Sequence, residues 1–140
     1  MGTTSMLKDI KEMHTKFGVY DAVNKLDPLT LRDFLQFRLG CIYEEFTETQ
    51  VALNNGDAEE IVDGLIDIMV FTLGTLDLFG VDADKAWKQV MEANINKEVG
   101  VKPGRPNPYK LPDLRKPAGW TPPSHEDNHG TIGELFNDCN

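Results

Sequence analysis

The sequence predicts an all-α fold: a helical bundle of about four helices around a central antiparallel hairpin, followed by a Pro-rich C-terminal arm. Three observations predict it. Apolar residues recur at three- and four-residue spacing through successive segments. Asn54-Asn55-Gly56-Asp57 carries helix-stop and helix-start signals side by side. Seven of the eight prolines fall between Pro103 and Pro123, where the helical pattern ends.

The elements follow in order. Met6, Leu7, Ile10, Met13, His14 and Phe17 outline a short amphipathic docking helix that stops at Gly18. Pro28 breaks the chain, and Thr30-Leu31-Arg32-Asp33 reads as the cap of a long helix running to about Asn54. Leu31, Phe34, Leu35, Leu39, Ile42 and Phe46 form its apolar stripe. The next helix is expected from about Ala58 to Leu78, with Asp57 and Glu60 as its capping box and Gly80 as its stop. It is apolar on most of its circumference, which predicts burial. Asp82-Ala83-Asp84-Lys85 opens a fourth helix, with Ala86, Val90 and Ala93 inward, expected to reach Val99. Residues 1–100 are therefore read as one all-α domain and residues 101–140 as the arm and a polar tail. The tail, from Ser124, is expected to be partly disordered, with His125 and His129 in solvent.

Composition excludes several classes. At 140 residues the chain suits one core. A formal net charge of −9 argues against a nucleic-acid surface, which needs clustered Lys and Arg. Cys41 and Cys139 make no disulfide framework and suit a reducing cytoplasm. No signal peptide is read at the N-terminus, and Ile61–Leu73 is too short and too acidic to span a bilayer, so a soluble protein is expected.

The functional signal is acidic. From residue 39 to residue 84 the chain has eleven carboxylates and no Lys, Arg or His. Glu45 and Glu48 share one face of the first hairpin helix, and Glu60, Asp63 and Asp67 share one face of the second. One antiparallel register sets Glu48 opposite Asp63 and Glu45 opposite Asp67. An ionised carboxylate among Ile61, Val62, Leu65, Ile66, Ile68 and Met69 needs a cation or a proton. Hard divalent ions, Mg²⁺ or Mn²⁺, favour such oxygen donors. Glu60 has a second occupation as the capping-box acid, and Glu44 beside the site has three: ligand, hydrogen-bond support, or base on a water. Glu59 and Asp77, taken singly, read as solvated. Phe17, Phe37, Tyr43, Trp87 and Trp120 read as core or as base-stacking residues, Trp120 being the least explained by a core.

Glu44-Glu45-x-x-Glu48 followed by Glu60-x-x-Asp63 resembles the E-E-x-x-E and E-x-x-D halves of the MazG-like nucleotide pyrophosphohydrolases. These belong to the all-α NTP pyrophosphatase superfamily and are related to phosphoribosyl-ATP pyrophosphohydrolase. A rival alignment sets the second half on Asp67, with Gly64 where the glutamate belongs; Asp63 serves in either. Asn94 and Lys97 match a late-helix Asn and Lys of relatives, and Arg105-Pro106-Asn107 resembles the extension of phage-type copies.

The resemblance implies hydrolysis of a (deoxy)nucleoside triphosphate to monophosphate and pyrophosphate. Glu44, Glu45, Glu48, Glu60 and Asp63 would be catalytic; Glu45, Glu48, Glu60, Asp63 and Asp67 would hold Mg²⁺ or Mn²⁺; Asn94, Lys97 and Arg105 would bind substrate. Two alternatives stay open: a dGTP- or dATP-specific diphosphatase of a phage modified-purine pathway, and a non-enzymatic helical assembly protein with a structural cation. The apolar second helix predicts a homodimer or homotetramer.

Overall fold

The computed structural model describes residues 2–102 and 104–136; Cys139 lies outside them. Among the described residues the fold is all-α, with one two-residue strand pair. It divides into two compact units, Met1–Ala83 with Asp127–Asn140, and Asp84–Glu126.

In the first unit, α1 (Gly2–Lys16) buries Leu7, Ile10 and His14 at helical spacing. Gly18 takes a left-handed φ of 67° and turns the chain into α2 (Val19–Asn24), which the sequence reading lacked. Six residues are too few to show a period; only Val23 is buried there. The long helix α3 (Pro28–Asn54) begins three residues earlier than a Thr30 cap would place it. Its cap is not Thr30: the Asp27 carboxylate accepts the Thr30 amide at 2.8 Å, and Pro28 fills the first turn, where a missing N–H costs nothing. The expected junction follows, with Gly56 at φ 68° and Asp57 accepting the Glu60 amide at 3.1 Å. Then α4 (Ala58–Leu78) runs back along α3.

The core lies at the far end of this hairpin from the turn. Phe79, wholly buried, packs with Val23, Leu31, Leu78 and Leu135, and its ring stacks on Phe34 at 6.0 Å. Leu135 belongs to a 3₁₀ helix, η1 (Gly130–Phe136), so this part of the tail, expected to be partly disordered, is helical. Two anchors hold it. The Thr131 amide and hydroxyl both donate to the Phe79 carbonyl, and Asn128 closes a pair of hydrogen bonds with the Asp82 backbone at 2.8 and 2.9 Å. Gly130, at φ 55°, is required there because a Cβ would overlap the Phe79 carbonyl.

A second correction concerns α4. Within one chain it is not mostly buried: Val62, Leu65, Ile66 and Met69 are exposed, as are Phe37, Leu39, Tyr43 and Phe46 of α3. The helices that pack on it, chiefly α3 and also α1, leave that face uncovered. Among the described residues, no single helix is long and apolar enough to cross a membrane.

In the second unit, α5 (Ala83–Ile95) ends four residues before the expected Val99. Glu98 and Val99 instead form β1, antiparallel to β2 (Leu114–Arg115), with Arg115 donating to Glu98 at 2.9 Å. The arm is thus ordered. Trp120 explains part of that order: its indole N–H donates to the Ala93 carbonyl at 2.7 Å, and Lys97 and Lys116 lie 5.5 and 5.0 Å from its ring. His125 is half-buried rather than solvated, and its Nδ1 has no hydrogen-bond partner among the described residues.

Candidate functional site

The α3–α4 contact sets which acids meet. Gly64 sits against Thr49 so closely that a Cβ would overlap the threonine hydroxyl, which is turned back to the Glu45 carbonyl at 2.7 Å. From that crossing point, Glu45 is level with Ile68, so Asp67 is about 1.5 Å from it along the axis and Asp63 about 3 Å from Glu48, at 1.5 Å per residue. Glu60, level with Leu53, is about 7.5 Å from Glu48 by the same rise.

Electrostatics trace the same group. Partial desolvation, then the charges of Glu48, Asp67, Glu44 and Asp63, hold the Glu45 carboxyl above its usual range. Glu60 is not among those charges; its backbone N–H is taken by the Asp57 cap and its side chain is exposed. The structure therefore brings Glu44, Glu45, Glu48, Asp63 and Asp67 into one field. Among the described residues, none of these acids has an ion-pair partner.

Arg38, the nearest cation along α3, is turned away. It donates to the Phe71 carbonyl at 3.2 Å and the Thr75 hydroxyl at 3.0 Å, over the Phe71 ring. Gly74 leaves room for it, since a Cβ there would stand 2.7 Å from the guanidinium.

A bound cation suits this donor set chemically: oxygen only, negative, and free of competing bases. The carboxylates are gathered without being closed into a cage. Among the described residues no group of three or more His, Cys, Asp or Glu is close enough to hold a metal ion. Mutual repulsion keeps such side chains apart, and a divalent charge reverses its sign.

The other expected site residues lie in the second unit. Asn94, half-buried on α5, accepts the Lys97 amide through its backbone carbonyl at 3.2 Å. Lys97 reaches the Trp120 ring, and Arg105 stands 3.6 Å from Asp113.

Sequence reasoning missed one charged site altogether. Asp77, read as solvated, has a side chain only 2% exposed, gripped by Lys11 Nζ at 2.6 Å, His14 Nδ1 at 2.7 Å and the Tyr20 hydroxyl at 2.6 Å. Burial alone would raise its carboxyl; the hydrogen bonds from Lys11, Tyr20 and His14 outweigh that and hold it below the usual range. The Tyr20 phenol is pushed up to about 12, by burial first and then by Asp77. The helical face shared by Leu7, Ile10 and His14 was the available signal, since it put a polar ring on a core stripe.

The family model for phosphoribosyl-ATP pyrophosphohydrolase matches residues 22–94, more than half of the 140-residue chain. The chain belongs to this family. The match contains both acidic groups and the whole hairpin, so the family assignment and the acid-bearing crossing fall on the same residues. Phosphoribosyl-ATP pyrophosphohydrolases are nucleotide pyrophosphohydrolases, typically dependent on a divalent metal. The match excludes α1, the arm and η1. No curated protein matches the chain.

Proposed function

We propose that this chain hydrolyses (deoxy)nucleoside triphosphates to the monophosphate and pyrophosphate, using a divalent cation, Mg²⁺ or Mn²⁺, held by Glu45, Glu48, Asp63 and Asp67. The observation that carries the reading is the close approach of Gly64 to Thr49, which sets Glu45 and Glu48 of α3 across from Asp63 and Asp67 of α4; partial desolvation, then the charges of Glu48, Asp67, Glu44 and Asp63, raise the Glu45 carboxyl there. Bound there, the ion would neutralise the triphosphate and lower the pKa of an attacking water. Water adds to the α-phosphorus, the bond to the bridging oxygen breaks, and pyrophosphate leaves with that oxygen. Glu44, exposed beside the group, is placed to take the water's proton, so no nucleophilic side chain is needed. Asn94, Lys97 and Arg105 are proposed to bind the phosphates.

The working species is proposed to be a homo-oligomer, a dimer or a tetramer. Support comes from α3 and α4, whose Phe37, Tyr43, Val62 and Leu65 are 64%, 70%, 63% and 54% exposed. Large apolar side chains exposed on both hairpin helices call for a partner surface. Light scattering at micromolar concentration checks this.

The deciding experiment is pyrophosphate release from each (d)NTP, and from phosphoribosyl-ATP, with Mg²⁺ or Mn²⁺. Release from at least one is expected; release from none, by folded protein, refutes the reading.

A stability experiment tests the electrostatic part separately. Because the Glu45 carboxyl is raised above its ordinary 4.5, its ionisation works against the fold as pH climbs past that range, and stability returns as pH falls. Mg²⁺ at pH 7.5 is therefore expected to raise the wild-type Tm by about 2–4 °C, and Glu45→Gln to raise it without metal and blunt the Mg²⁺ response. Equal Mg²⁺ shifts in both proteins would remove Glu45 from the cation site.

A further inference from the structure

The arm reverses the sign of the molecule. Six of the fourteen Lys and Arg fall within residues 97–116, against two carboxylates, Glu98 and Asp113, in a chain of net charge −9. Two of the six cations answer those acids, Arg115 on Glu98 and Arg105 near Asp113. Two more, Lys97 and Lys116, lie over Trp120. Lys102 and Lys110 have no partner among the described residues.

Both of these line one cavity. A hollow of about 600 Å³ is lined by Lys102, Arg105 and Lys110, by the apolar Val99, Val101 and Leu111, and by Asp113, the one carboxylate, which Arg105 answers at 3.6 Å. That volume suits a ligand the size of a nucleotide. The loop that presents Lys110 is built rather than slack: the Asn107 side-chain amide donates to the Leu111 carbonyl at 2.7 Å, and the Lys110 amide donates to the Asn107 carbonyl at 3.3 Å. Lys110 itself is held at φ 54°, a left-handed backbone that a side-chain-bearing residue seldom adopts. Glycine would sit there without strain.

We infer that this arm cavity binds the polyphosphate of a nucleotide, with Lys102, Arg105 and Lys110 on the phosphates and Val99, Val101 and Leu111 against the nucleoside. The cavity lies outside residues 22–94, so the family match does not assign it. The inference rests on the proposed hydrolysis only for which nucleotide is bound. Net acidity elsewhere opposes a nucleic-acid strand, whereas a short polyphosphate needs only the local cations.

The test is calorimetric titration of the full chain with sodium tripolyphosphate and with ATP, in EDTA so that no metal contributes. Wild type is expected to bind both, ATP more tightly, with affinity falling as salt rises. Lys110→Gly keeps the backbone unstrained while removing the charge, and is expected to weaken both ligands about 3–10-fold with Tm unchanged or higher. The triple variant Lys102→Ala, Arg105→Ala, Lys110→Ala is expected to lose at least tenfold, with its helical circular dichroism retained. Val101→Asp should weaken ATP more than tripolyphosphate. Wild type that binds neither ligand, or a triple variant that binds like wild type, overturns the inference, as does a triple variant that changes only the oligomeric state. Tripolyphosphate binding without any pyrophosphate release would support the cavity and count against the hydrolase reading. Release with no metal-free binding would do the reverse.

Discussion

Asp63→Asn is expected to lower kcat/KM for triphosphate hydrolysis about 10²–10³-fold, roughly 3–4 kcal/mol of transition-state stabilisation, while Tm moves by less than about 2 °C. The side chain is exposed and makes no hydrogen bond that the fold uses, so loss of activity cannot be attributed to unfolding. Steady-state pyrophosphate release and a thermal melt on the same preparation check both halves. Companion variants sort the rival alignments. Asp67→Asn is expected to approach the Asp63 effect, because Asp67 is second only to Glu48 among the charges acting on Glu45. Glu60→Gln is expected to cost less than about tenfold, because Glu60 sits a helical turn beyond the crossing and its amide is engaged by the cap. A Glu60 effect as large as that of Asp63 would return the site to the Glu60-x-x-Asp63 pairing. Full activity in Asp63→Asn would remove the hairpin acids from catalysis.

Asp77→Asn is expected to cost about 3 kcal/mol of stability and to lower Tm by about 10 °C. The three partners reach it from α1 and α2, so the carboxylate ties the first 24 residues to the end of α4. Lys11, 61% exposed, can return to water when the charge is removed; His14, 3% exposed, cannot. The imidazole is then left buried beside an amide, and this is where most of the cost arises. The pH dependence has a definite sign. Asp77 titrates below its ordinary 3.8 in the fold, so its contribution is complete above that value and is lost as pH falls through the folded value. Tyr20, raised to about 12, contributes below its ordinary 10 and loses that contribution as pH climbs toward 12. Melts from pH 2.5 to pH 7 should show the wild type losing an advantage over Asp77→Asn below about pH 4. Parallel curves, or a Tm change under 2 °C, would mean that the buried pair only breaks even against its desolvation.

How far the molecule was legible depended on the range of each interaction. The hairpin could be read closely because its signals are local: Gly56 needs a left-handed turn, Asp57 caps three residues ahead, and apolar spacing marks the helices. Other features were invisible for the opposite reason. Asp77 looks like any helical acid until residues 57 to 66 positions away close over it. The Ile132, Leu135 and Phe136 cluster could be seen, but not the Phe79 carbonyl on which its helix docks. The strand pair that ends α5 joins residues 17 apart, and no period in the sequence records it.

By itself, then, the sequence determined an all-α chain with a central hairpin and two facing groups of acids, because helical period and capping chemistry act over three or four residues. Only the tertiary structure decided which acids share a field and which one is buried. The approach of Gly64 to Thr49 sets the register, and a shift of one residue there moves every carboxylate about 1.5 Å along its partner helix.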